Sequence, residues 1–239
     1  MNTVRKPLAL VALMMVVSSC TFQWPSTMTS CDPTYESLGA IMGSCPLDCE
    51  LSAIDRDFSI IFDEAAELPD YECVDGEDPS GDNNPKLTFY QLLRTVAALE
   101  FNQPLPWTDL PLYEWLRNSI TGFVITDSPQ SYCCDTHGRI VLSVDDLSRP
   151  LPARWDSPHP GVGLCDLAGL IVHEARHTEV GPHTCGENDT TADELGAWGA
   201  QYYFYVWLAE HTAPGLLSDL ELQCAMAHAQ MNEIHFCNH

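Results

Sequence analysis

The stretch LIVHEARHTEVGPHTC, residues 170–185, decides how the rest of the chain is read. With the preceding LCDLAG (164–169) it predicts a helix over 164–179 that stops near Gly181-Pro182, where the chain meets its strongest helix breakers. On a helix, residues four apart share a face. His173 and His177 therefore present two imidazoles one turn apart, the arrangement that two neighbouring positions of a tetrahedral zinc ion require. Glu174 points partly off that axis, within reach of a water beside such an ion. His183 follows six residues after His177, beyond the turn. The competing reading is a core helix with two surface histidines pairing with Glu174.

His173, Glu174 and His177 together make the HExxH pattern, and here the chain resembles the zincin metallopeptidases. The resemblance covers residues 164–200. It implies Zn2+ as cofactor, Glu174 as general base on zinc-bound water, and a peptide or protein as substrate. It also implies a third protein ligand, for which there are two candidates. Metzincins read HExxHxxGxxH. His183 matches the last histidine of that pattern, but Val180 occupies the glycine position and the glycine comes one place later, at Gly181. Gluzincins instead take a glutamate from the next helix, for which Glu194, beside Asp193, is the candidate. His183 is preferred and Glu194 is the alternative.

Neighbouring residues invite other readings. Arg176 suits a structural ion pair with an acid of the next helix. Tyr202, Tyr203 and Tyr205 form an aromatic stripe expected mainly in the core, although one could donate to an oxyanion. The glycines of GAWGAQ (196–201) suggest close helix packing beneath the metal helix. His211, His228, His235 and His239 are scattered and read as surface residues.

The N-terminus begins MNTVRKPLALVALMMVVSSC. Arg5 and Lys6, an apolar run to Val17 and two serines read as an export signal, and the run is too short to span a membrane. The tail VSSC resembles the lipobox of bacterial lipoproteins. That implies cleavage after residue 19, acylation of Cys20 and a lipid anchor in the cell envelope. Thr21 after the cysteine favours the outer membrane where the cell has one. The formal net charge is −24, and cleavage would remove Arg5 and Lys6, leaving the mature chain more acidic still. Such acidity excludes nucleic acid as a partner and argues against anionic lipid surfaces. Setting Cys20 aside, the remaining cysteines of the eleven are even in number, which in an exported chain reads as disulfides. The C-x3-C spacing of Cys45 and Cys49 could start a thiolate metal cluster, but no second spaced pair complements it.

Elsewhere the pattern predicts a short helix within 51–67, an acidic loop over 69–85, and helices over 86–102 and 109–123. A strand is expected over 138–146, followed by a proline-marked loop at 150–160. Long helices are expected over 189–211 and 214–236, the second pinned by Cys224 and Cys237. The fold class is mainly α with a minor α+β element: a zincin-like helical domain stapled by disulfides. Residues 1–19 are assigned to a signal peptide, 20–50 to a lipidated tether and stapled N-terminal region, and 51–239 to the catalytic domain. Two functions from different classes follow. One is a lipid-anchored zinc hydrolase. The other is a non-catalytic surface lipoprotein with a structural metal or none, which a closed four-ligand site would favour.

Overall fold

The computed structural model describes residues 35–70, 73, 84–148 and 163–238. The expected signal segment, Cys20, most of the expected acidic loop, the expected proline-marked loop and His239 lie outside the described residues. The chain is mainly α, with one small sheet. In order come α1 (Leu38–Met42), α2 (Asp48–Asp57), β1 (Ser59–Phe62), α3 (Pro85–Ala98), α4 (Leu112–Ser119), β2 (Gly122–Thr126), β3 (Arg139–Ser143), α5 (Val144–Ser148), α6 (Leu164–Val180), α7 (Ala197–His211) and α8 (Asp219–Asn232).

α3 is the axle of the N-terminal half. Asn84 caps it by accepting from the N–H groups of Lys86 and Leu87, and Pro85 sits in the first turn, where a missing N–H costs nothing. Its buried residues include polar ones, and these hold the segment that precedes α2. Arg94 pairs with Glu50 at 3.0 Å, both side chains fully buried. Arg94 also donates to Tyr35 Oη at 2.7 Å and to the carbonyl of Ser44 at 2.9 Å. A buried ion pair of this kind stabilises little over an apolar substitute but tolerates only one register. The expected division between residues 50 and 51 falls inside α2, and Leu38, Ile41 and Met42 join the same buried cluster as α3 and α6.

The three strands are all parallel, in the order β1-β2-β3. Burial explains the composition of β2 and β3: Phe123, Ile125, Ile140 and Leu142 are wholly enclosed, as parallel strands covered by helices require. β1 and β2 were not anticipated. SIIF (59–62) fell in the stretch 51–67, where only a short helix was expected, and GFVIT (122–126) was overlapped by an expected helix over 109–123. Both are short apolar runs whose periodicity does not separate strand from helix. Beyond β3, Tyr132 pairs antiparallel with Val141 through two 2.9 Å hydrogen bonds, bringing the 131–133 segment along that edge.

The C-terminal half is a packed trio, α6, α7 and α8. α6 follows the predicted span closely. Asp166 reaches back to the N–H of Gly163 to close its start, and Gly181, at φ 75°, ends it. α7 packs tightly on α6 at Gly169, where any β-carbon would run into the buried ring of Tyr205. The packing glycine is thus on α6. Gly196 instead caps α7, and Gly199 lies against the carbonyl of Ala192. α7 starts at residue 197, not near 189, because residues 190–196 fold into a loop with one short 3-10 turn. His228 is a further correction: it is buried on α8 and pairs with Asp166 of α6 at 3.0 Å. Disulfides join Cys45 to Cys73, Cys133 to Cys134 and Cys185 to Cys237, and Cys49 is disulfide-bonded as well. No helix among the described residues is long and apolar enough to cross a membrane.

Candidate metal centre

The site is built on the solvent end of α6. Buried Ile171, Val172 and Ala175 fix the helix against the core, so the rotation of His173 and His177 is set by packing. Their ring centroids lie 5.0 Å apart. Gly181, in a backbone conformation that suits glycine, and Pro182 then reverse the chain. That turn brings His183 back to 4.7 Å from the His177 ring and 5.2 Å from the His173 ring. The displaced glycine therefore makes the turn by itself, one residue later than in the HExxHxxGxxH pattern. One ring nitrogen from each of His173, His177 and His183 lies within 4.8 Å of the others, a group that can hold a metal ion. Nitrogens bound tetrahedrally at ~2.0 Å would stand about 3.3 Å apart, so the rings would draw closer together on binding.

The backs of the rings indicate which nitrogens face inward. His177 Nδ1 lies 2.7 Å from the carbonyl of Gly181. A carbonyl only accepts, so this nitrogen carries the proton and Nε2 keeps its lone pair. His183 Nδ1 donates to Asp189 Oδ1 at 2.9 Å, the carboxylate–histidine pairing that orients metal ligands. Asp189 is 1% exposed. Its other oxygen accepts the N–H groups of Trp198 at 2.9 Å and Gly199 at 3.2 Å. These are free donors of the first turn of α7. Gly196 makes room for that carboxylate, since a β-carbon there would collide with it. One side chain thus caps α7 and aims His183. The surrounding loop is closed by the Cys185–Cys237 disulfide and by hydrogen bonds of the Asp189 backbone to His235 and Cys237.

His173 is the most enclosed of the three, 5% exposed, with the Trp198 ring 4.2 Å away. Burial lowers its pKa well below the usual value, and the neighbouring His177 and His183 lower it further. A cluster of three imidazoles is thereby held towards the neutral, ligating form at its deepest member. The donor set, the tautomers imposed on two rings and the low basicity of the third all fit a metal ion.

Glu174 is also buried, and Oε2 accepts the N–H of Cys133 at 2.7 Å. Burial raises its pKa to about 7, against the opposing effect of that hydrogen bond and with a further rise from Asp146. Glu194 does not join the group. Its carboxylate accepts from the N–H of Thr190 at 2.7 Å and from the Thr184 hydroxyl, stitching the exposed loop. Asp193 accepts from Tyr203 at 2.6 Å. Arg176 pairs with Glu179 on its own helix, not with an acid of the next one, and its Nε donates to the carbonyl of Leu195. Of the tyrosine stripe only Tyr205 is wholly in the core. His235, expected on the surface, stacks on Trp198 with ring centroids 3.5 Å apart, within electrostatic reach of His173 and His183.

Asp189 and Trp198 were not read as site residues from the sequence. The one available signal was the expected start of a helix at 189, which says nothing about which histidine the Asp189 carboxylate would face. A separate cavity of about 470 Å³, between residues 97–105 and 109–114, includes none of the site residues. Comparison with protein-family models, curated proteins and solved structures finds no match. Fold and site define a mainly α, disulfide-stapled protein with a three-histidine group able to hold a metal ion.

Proposed function

We propose that this protein is a zinc-dependent hydrolase, a peptidase of the HExxH type, carried outside the cytoplasm on a lipid anchor at Cys20. The observation that carries the reading is the convergence of His173, His177 and His183, with Glu174 next in the chain to the innermost ligand. Three neutral imidazoles suit zinc among the common divalent ions. Zn2+ held there would supply Lewis acidity and acidify water near neutral pH.

The chain's own residues supply the remainder. Asp189 and the Gly181 carbonyl hold two of the imidazoles in one tautomer, so neither needs to move its proton when a metal binds. Glu174 takes a proton from the attacking water and returns it to the leaving amine. A carboxyl with a pKa near 7 can do both at neutral pH, because neither protonation state is far out of reach. The Cys133 N–H fixes which Glu174 oxygen stays available for that exchange. The group holds three protein ligands among the described residues, not four, which favours the hydrolase over a lipoprotein with a closed structural metal.

The test combines metal content with one conservative variant. The parent should bind Zn2+; His173→Ala, His177→Ala and His183→Ala should each lose it, and Glu194→Ala should keep it. Glu174→Gln preserves the shape but cannot accept a proton. It should retain Zn2+ while cleavage of a peptide library falls by roughly 100- to 10,000-fold. Full activity in Glu174→Gln on a substrate the parent cleaves would refute the mechanism. Unchanged metal content in all three histidine variants would refute the centre itself. Circular dichroism on each variant separates these outcomes from misfolding.

A further inference from the structure

We propose that Gln201 is a positioning residue for the metal centre: its side-chain oxygen accepts a hydrogen bond from His173 Nδ1 and orients that ring. This rests on the three-histidine group binding a metal.

The starting observation is an asymmetry. His177 and His183 each have an acceptor behind the ring, but His173 Nδ1 is buried with no partner in hydrogen-bonding geometry. A buried imidazole N–H left alone is costly, so a partner is expected nearby. The helix packing indicates where. Trp198, Gln201 and Tyr205 lie three and four residues apart and share one face of α7. At one end of that face the Trp198 ring meets His173. At the other the Tyr205 ring fills the space over Gly169, one turn earlier on α6. Gln201 stands between them, against the turn of α6 that leads into His173.

Its amide is already oriented. Gln201 Nε2 donates to Tyr205 Oη at 3.2 Å, so the amide donor is engaged and the oxygen is the atom left to accept. In the metal-free chain no hydrogen bond to His173 Nδ1 is formed, and Gln201 is the polar side chain of α7 placed between the Trp198 and Tyr205 contacts to α6. Metal ligation through Nε2 keeps the proton on Nδ1 and draws electron density from the ring, which strengthens Nδ1–H as a donor and closes the bond to Gln201. Each of the three ligands then has its own acceptor: a main-chain carbonyl, a carboxylate and an amide.

The experiment measures Zn2+ affinity of the full chain by competition with a chromophoric chelator, for the parent, Gln201→Leu and Gln201→Glu. Gln201→Leu removes the acceptor at similar volume and should weaken Zn2+ binding roughly 10- to 100-fold. Gln201→Glu restores an acceptor and should bring affinity back to the parent's level or above, which a merely structural role for the side chain would not do. In the zinc-loaded parent, a slowly exchanging Nδ1–H resonance assigned to His173 should be present and should be lost in Gln201→Leu. Gln201→Leu binding Zn2+ as tightly as the parent overturns the assignment of Gln201 while leaving the centre intact. Equal weakening in Gln201→Leu and Gln201→Glu also overturns it. A parent that binds no Zn2+ overturns both.

Discussion

Replacing Asp189 by Asn isolates the orientation of His183 from every other contribution to the centre. The native carboxylate serves donors on both sides, His183 Nδ1 on one oxygen and the N–H groups of Trp198 and Gly199 on the other. An amide has only one oxygen. Turned towards α7, it keeps both main-chain bonds and sets its NH2 against the His183 Nδ1–H. The cheapest relief is for His183 to move its proton to Nε2, the nitrogen needed by the metal. Loss of such an outer partner costs roughly 10- to 100-fold in metal affinity, or about 1.4–2.7 kcal/mol. The helix start keeps its acceptor, so the metal-free fold should lose less than about 1 kcal/mol. Asp189→Ala removes both functions and should add a capping loss of about 0.5–2 kcal/mol to the same metal defect. Zn2+ competition titration reads the first quantity, and thermal melting of the chelator-treated protein reads the second. Asp189→Asn binding Zn2+ within about twofold of the parent, against the 10- to 100-fold expected, would refute the claim that this carboxylate aims the ligand.

Other consequences concern protonation and the anchor. Burial lifts Glu174 from 4.5 to about 7, so in the metal-free fold it holds a proton across a window where the unfolded chain has released its own. Stability contributed by the protonated form is complete below pH ~4.5 and falls as pH rises towards 7, by up to about 1.4 kcal/mol per pH unit. Glu174→Gln should flatten that slope in metal-free melts, and identical pH profiles for parent and variant would contradict the burial argument. At the N-terminus, Cys20→Ser should release the protein from the membrane fraction and abolish fatty-acid labelling. Continued labelling of that variant would remove the lipoprotein reading without touching the metal centre.

Periodicity and breakers were enough for α6, because a long amphipathic helix with a Gly-Pro stop is a local pattern. Apolar spacing likewise showed α3, although its cap Asn84 and first-turn Pro85 fell in the loop expected before it. The spacing of His173 and His177 is a property of one helix and needs no fold to be read. β1 and β2 were hidden for the opposite reason: four- and five-residue apolar runs become strands only when a partner strand supplies their hydrogen bonds. α7 was read as too long because Asp189 looks like an ordinary cap. Its carboxylate does cap the helix, but from across a loop that the sequence cannot show folding back.

The choice between His183 and Glu194 shows the same limit. Both lie at spacings that known metallopeptidases use, and the sequence prefers His183 while leaving Glu194 open. Tertiary structure places the His183 ring beside the other two and spends the Glu194 carboxylate on Thr184 and Thr190. The sequence alone determined that His173 and His177 share one face of α6 with Glu174 beside them, since helix geometry sets those positions within a single turn. Only the folded chain brought the third imidazole to the other two, set the Asp189 carboxylate behind it and buried Glu174. Each of these depends on long-range packing, which brings together groups that no local periodicity relates.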